Sequence, residues 1–84
     1  MMFDLRIVEK VVYKEQVQQF GLEIKRLREA KKISQQELAY RCDVDIRTIQ
    51  RIEKGDYGVG LHNLFALAIA LEVPPYQLLE NIFF

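Results

Sequence analysis

The stretch that decides the fold is SQQELAYRCDVDIRTIQRIEKG, residues Ser34 to Gly55. Ser34 followed three residues later by Glu37 predicts a capping box, in which the Ser34 hydroxyl and the Glu37 carboxylate each satisfy a free amide of a helix's first turn. Behind that cap, Gln35, Leu38, Ala39 and Cys42 fall at the i, i+3, i+4, i+7 spacing of one helical face. The pattern stops at Asp43-Val44-Asp45. Asp accepts a left-handed backbone more readily than most residues, so Asp43 ends the first helix where glycine usually does. Asp45 is a good N-cap for a second helix, whose inner face carries Ile49, Ile52 and Glu53 and which Gly55 closes. The stretch reads as helix, tight turn, helix.

Upstream, a helical period runs from about Lys14 through Val17, Phe20, Ile24, Leu27, Arg28 and Lys31. Gly21 inside it costs roughly 1 kcal/mol relative to alanine, so it serves close packing or relaxes the first turns. Arg28 shares a face with Ile24 and Leu27, an expensive place for a charge unless it is paired. Glu53 stands on the inner face of the later helix, which predicts an Arg28–Glu53 ion pair, buried or half-buried. The plainer alternative is that both tips reach out to water. Downstream, DYGVGL (56–61) is a loop, and residues 61–71 form a fourth helix, apolar nearly all round and therefore expected to be enclosed by the others. Pro74 disfavours helix at Val73, and Pro75 opens a fifth helix through Tyr76, Leu78 and Leu79 to Asn81. The expectation is an all-α, compact five-helix domain over residues 14–81. Before it, residues 1–13 alternate Phe3, Leu5 and Ile7 with Asp4 and Arg6, which suits an arm with a short strand or a simple leader. After it, Ile82-Phe83-Phe84 is an apolar tail.

The chain has 84 residues, half of them hydrophobic, room for one small core. One cysteine excludes an internal disulfide. Nothing resembles a signal peptide, and the longest apolar run, residues 64–71, is too short for a bilayer. A cytoplasmic protein without a membrane partner is expected. Net charge is zero, but it is unevenly spread. Residues 21–55 carry nine Lys/Arg against six Asp/Glu, whereas residues 56–84 carry three acids and no base. The positive excess is confined to the segment containing the two short helices, a weak form of the footprint left by a nucleic-acid partner.

The motif resembles the Xre/Cro family of helix-turn-helix DNA-binding proteins, relatives of the phage repressors. The resemblance rests on SQxELA, a hydrophobic residue in the turn, and T-I-x-R-I-E-x-G in register. It extends upstream through IKRLREAKK and downstream through LHNLFALAIALEVPPYQLLE, roughly residues 21–80. The loop departs from the family's polar residue with Pro and Ser, having Gly58-Val59-Gly60 instead. The resemblance implies a repressor-like domain with the helix-turn-helix as helices 2 and 3, and the same Arg28–Glu53 partnership. It implies sequence-specific binding of double-stranded DNA, with helix 3 in the major groove of a palindromic site, by a homodimer acting as a transcriptional regulator.

Residues near the start of the recognition helix contact bases in this architecture. Arg47, Gln50, Arg51 and Lys54 lie on its outer face, and Arg and Gln match guanine and adenine edges. Ile46, Arg47, Gln50 and Arg51 are therefore expected to read bases, Ile46 through a thymine methyl. Gln35 and Gln36, at the start of helix 2 where free amides favour an anion, are expected on phosphates, with Thr48 and Lys54. His62 and Asn63 are weaker candidates. Asp45 would repel phosphates unless its side chain turns into its own helix. Dimerisation is expected through Leu79, Ile82, Phe83 and Phe84, which should not stay exposed.

Two other classes compete. The basic stripe alone could be a solvated face, and the apolar ends suit a protein-interaction module or an antitoxin binding a toxin or other protein partner. An enzyme is disfavoured, because Cys42 lies on a buried stripe, His62 is the lone histidine, and no phosphate loop or metal-ligand spacing is present. No cofactor is expected.

Overall fold

In the computed structural model, which describes residues 13–83, four α-helices follow one another. They are α1 (Tyr13–Ala30), α2 (Gln35–Cys42), α3 (Ile46–Lys54) and α4 (Leu61–Ala70), followed by a single 3-10 turn over Pro75–Leu78. The arm expected over residues 1–13 falls almost wholly outside the described residues, as does Phe84. The long α1 packs across α3, α2 packs on both α3 and α4, and the 3-10 turn bridges α4 to α1. Ile24, Leu38, Ile49, Ile52, Leu67, Leu71 and Leu78 are fully buried where these elements meet. Each such side chain stabilises the fold by about 1.5–3 kcal/mol relative to exposure. Cys42 is also buried there, and burial pushes its thiol pKa up.

All four helices stop in the same way. Lys32, Asp43, Gly55 and Glu72 each take a left-handed backbone, with φ of 58°, 56°, 78° and 59°. The amides at and after each of these residues turn back to the last carbonyls of the helix, as in Val44 N–H to Ala39 O and Val73 N–H to Ala68 O, both 3.0 Å.

Gly21 is required by a close approach. A Cβ there would collide with the Ile52 carbonyl oxygen and lie 3.1 Å from that of Glu53, so α1 crosses the end of α3 almost backbone to backbone. Gly58 and Gly60 have open space around them.

Three sequence expectations need correction. The fifth helix is only the 3-10 turn. Pro74 and Pro75 lack amide donors, Leu78 drops into the core, and the i→i+3 bonds continue through Leu79 and Ile82 as the chain turns back. It returns along α1, where Phe83 N–H donates to Gln19 Oε1 at 2.9 Å and the buried Gln16 donates through Nε2 to the Phe83 carbonyl. Second, α4 is not enclosed: Leu61, Phe65 and Ile69, four residues apart, are 70, 48 and 78 % exposed. Third, only half of the capping box forms. Ser34 Oγ accepts from Glu37 N–H at 3.0 Å, but the Glu37 carboxylate turns down the helix to Arg41 Nε at 3.1 Å. The i,i+4 pairing with an arginine competes with the Ser34 amide and wins.

Candidate nucleic-acid interface

Asp45 starts α3 as its side-chain cap. Its Oδ1 accepts from Arg47 N–H at 2.8 Å, so the carboxylate is turned into α3 and its charge lies at the positive end of the helix dipole. From that fixed start, Ile49, Ile52 and Glu53 go inward, and Arg47, Gln50, Arg51 and Lys54 go outward to water.

The inward side is held by charge as well as hydrocarbon. Arg28 donates from Nε to Glu53 Oε2 at 2.7 Å and from Nη2 to Glu53 Oε1 at 3.1 Å, a two-pronged pair between buried residues. Its Nη1 donates to the Ile33 carbonyl at 2.9 Å, while Ile33 N–H donates back to the Arg28 carbonyl. Hydrogen bonding to Glu53 holds the guanidinium pKa above its ordinary value, against the opposite pull of burial. Gln35 Nε2 adds a third donor to the carboxylate, at 3.0 Å from Oε1. These bonds tie α1, the start of α2 and α3 into one unit and fix the angle at which α3 presents its outer face.

That face is the exposed, positively charged part of the helix-turn-helix. Among the described residues, the ion pairs are Glu23–Arg26, Arg28–Glu53, Lys31–Glu72 and Glu37–Arg41, and none engages Arg47, Arg51 or Lys54. Ile46 is half-buried and packs against the core. Thr48 is half-buried as well, Gln36 and His62 are exposed, and Asn63 is half-buried. Gln35 has its amide nitrogen on Glu53, leaving its main-chain N–H at the start of α2. Of the residues expected to form a dimer patch, Leu79 and Phe83 are exposed and Ile82 is half-buried against the core.

Two contacts escaped the sequence reading. The Arg51 guanidinium carbon sits 5.2 Å from the centre of the Tyr57 ring, over its face. An aromatic residue just past the helix-ending glycine was the available signal. Arg41, besides meeting Glu37, donates from Nη1 to the Ala70 carbonyl at 3.2 Å and so caps the end of α4.

A short helix-turn-helix with a clean basic outer face, supported by a long helix behind it, defines a DNA-binding domain of the repressor type. Comparison with known proteins agrees. A helix-turn-helix family model matches residues 24–78. The control protein C.BamHI of Bacillus amyloliquefaciens is 37 % identical over 62 residues, which span 73 % of this chain and 76 % of that protein. The crystal structure of the restriction-modification controller protein C.AhdI from Aeromonas hydrophila superimposes with a TM-score of 0.73 at 35 % identity, covering 74 % of this chain and 94 % of that one. The controller protein C.Esp1396I superimposes with a TM-score of 0.71 at 26 % identity, over 77 % and 84 % of the two chains. The chain belongs to the helix-turn-helix family of DNA-binding transcriptional regulators. No helix among the described residues is long and apolar enough to cross a membrane.

Proposed function

We propose that the chain reads a two-fold symmetric DNA site as a homodimer, laying α3 in the major groove of each half-site, and that it controls transcription of a restriction–modification gene set. The observation that carries the DNA reading is the outer face of α3, where Arg47, Gln50, Arg51 and Lys54 are exposed while Glu53 is withdrawn into the core. Arg47 and Arg51 offer paired donors to guanine, and Gln50 offers a donor and an acceptor to adenine. Ile46, near the start of the helix, supplies apolar contact with a thymine methyl. Lys54 and Thr48 meet phosphates, and the first amides of α2 at Gln35 and Gln36 receive another. The type of gene regulated is inferred from the controller proteins among the relatives.

The homodimer is supported by the demands of a palindromic site, because one short recognition helix spans few base pairs and two must lie about 34 Å apart to read both half-sites. The surface we assign to it is the exposed stripe Leu61, Phe65 and Ile69 of α4, with Leu79 and Phe83 adding apolar area at the C-terminal end.

The test separates reading from sticking. Arg47→Ala is expected to cost roughly 1–3 kcal/mol per half-site on a duplex selected from random sequence, and to relax one base position. Lys54→Ala is expected to weaken all duplexes alike and lower the salt slope by about one unit. If both variants weakened selected and random DNA equally, α3 would be an electrostatic surface only. If neither changed DNA binding, the domain would be a protein-interaction scaffold.

A further inference from the structure

We infer that Tyr57 is a positioning residue for base recognition, holding the Arg51 guanidinium in place on the DNA-facing side of α3. This rests on the proposal that Arg51 reads a base. The first support is the contact itself, a guanidinium 5.2 Å from the ring centre, where the electron-rich face attracts a cation. The attraction to a ring face does not use up the N–H donors of a guanidinium, and no hydrogen bond or ion pair among the described residues takes those of Arg51, which leaves them for the two acceptors of a guanine edge.

The second support is the backbone. Asp56 N–H donates to the Arg51 carbonyl and Gly55 N–H to that of Ile52, both at 3.0 Å, with Gly55 at φ 78°. The turn that ends α3 therefore closes on Arg51 itself, and the returning chain brings Tyr57 back beside the Arg51 side chain. The third is anchorage. Tyr57 is half-buried and packs against the hydrophobic core, at the edge of an apolar cavity of about 340 Å³. The ring is thus held by the body of the domain while it carries the arginine. An arginine on an exposed helix face otherwise loses much rotamer freedom on binding. Tyr57 removes part of that loss before DNA arrives. Among the described residues, Arg47 has no such support, so the two arginines of the same face are expected to differ in how sharply they discriminate.

The experiment uses the whole chain, a duplex selected from random sequence, and single-base variants of it. Tyr57→Leu keeps apolar volume toward the cavity and removes the π-face. It is expected to weaken the selected duplex roughly two- to five-fold per half-site, the equilibrium factor of one exposed cation–π contact, with the loss confined to base positions that Arg51→Ala relaxes. Tyr57→Phe is expected to match wild type, and Tyr57→Leu is expected to add nothing in an Arg51→Ala background. In DNA-free wild-type protein, the Arg51 δ-protons are expected to be shifted upfield by the ring, a shift kept by Tyr57→Phe. Unshifted protons would overturn the inference whatever the variants do, even if Tyr57→Leu failed to fold. So would an equal loss on all duplexes, or a further loss without Arg51, since the ring would then touch DNA or merely shape the loop. If Arg51→Ala left every base preference intact, the base-reading role of Arg51 would fall. If Arg51→Ala relaxed a position that Tyr57→Leu left sharp, only the role of Tyr57 would fall.

Discussion

Where α1 crosses α3, a guanidinium and a carboxylate lie inside the protein; along the outer face of α4, three large hydrocarbon side chains stand in water. Each region reverses the usual placement of its residue type. The charged one is complete within a single chain, since Glu53 receives three donors and Arg28 places its third donor on a carbonyl. The apolar one is incomplete, because nothing among the described residues covers Leu61 or Ile69. Buried charge here marks a junction that the chain settles alone, and exposed hydrocarbon marks the surface we assign to the dimer.

The most damaging change to the first region is expected to be Glu53→Gln. It leaves the Arg28 charge inside without a counter-charge and should cost about 3–5 kcal/mol in urea unfolding. A loss within about 0.5 kcal/mol would mean that water already reaches the pair and that the contrast with α4 is false. Next comes Gly21→Ala, in which the new methyl meets the Ile52 carbonyl and must force the two helices apart. A loss of about 2–3 kcal/mol is expected, with Gly58→Ala as the matched control and little changed. The second region is tested by Ile69→Glu. If α4 is the dimer surface, sedimentation should show dissociation roughly tenfold more favourable, about 1.4 kcal/mol, with the melting of the monomer hardly altered. A dimer of unchanged strength would move the interface to Leu79 and Phe83. The smallest effect is a gain: Lys32→Gly or Glu72→Gly removes a side chain from a left-handed position and should raise stability by about 1 kcal/mol. Either variant melting below wild type would mean that the side chain's own contacts outweigh its backbone cost.

Those two positions also show where the sequence could be read and where it could not. Asp43 and Gly55 announce their turns because Asp and Gly favour a left-handed backbone, and Ser34 and Asp45 announce the starts because their oxygens fit the first amides of a helix. The helix-turn-helix was therefore legible almost to the residue, and with it the division of α3 into inner and outer faces. Lys32 and Glu72 carry no such preference; packing of the helices they follow imposes their conformation. The exposed stripe of α4 was hidden for a related reason. A helix apolar on every side has no contrast between its faces, so periodicity cannot say which face goes uncovered. Glu37 had two partners within reach, the Ser34 amide and Arg41, and composition does not rank them. The fifth helix failed because a proline pair and the need to bury Leu78 compress it to one turn. Tyr57 was missed because its partner is brought near by a reversal of the chain, which spacing along a helix does not encode.

Cys42 has a use that follows from its burial. It is the chain's one thiol, it sits in the core on the inner side of α2, and burial holds it protonated. An alkylating reagent can reach it only when α2 lifts from α3 and α4, or when the whole domain opens. At low reagent concentration the labelling rate therefore measures the population of the open form, and with it the free energy of opening. DNA bound across α2 and α3 should slow that clock in proportion to its occupancy. The domain thus carries its own reporter of whether α2 and α3 are clamped, with no labelling site engineered into the chain.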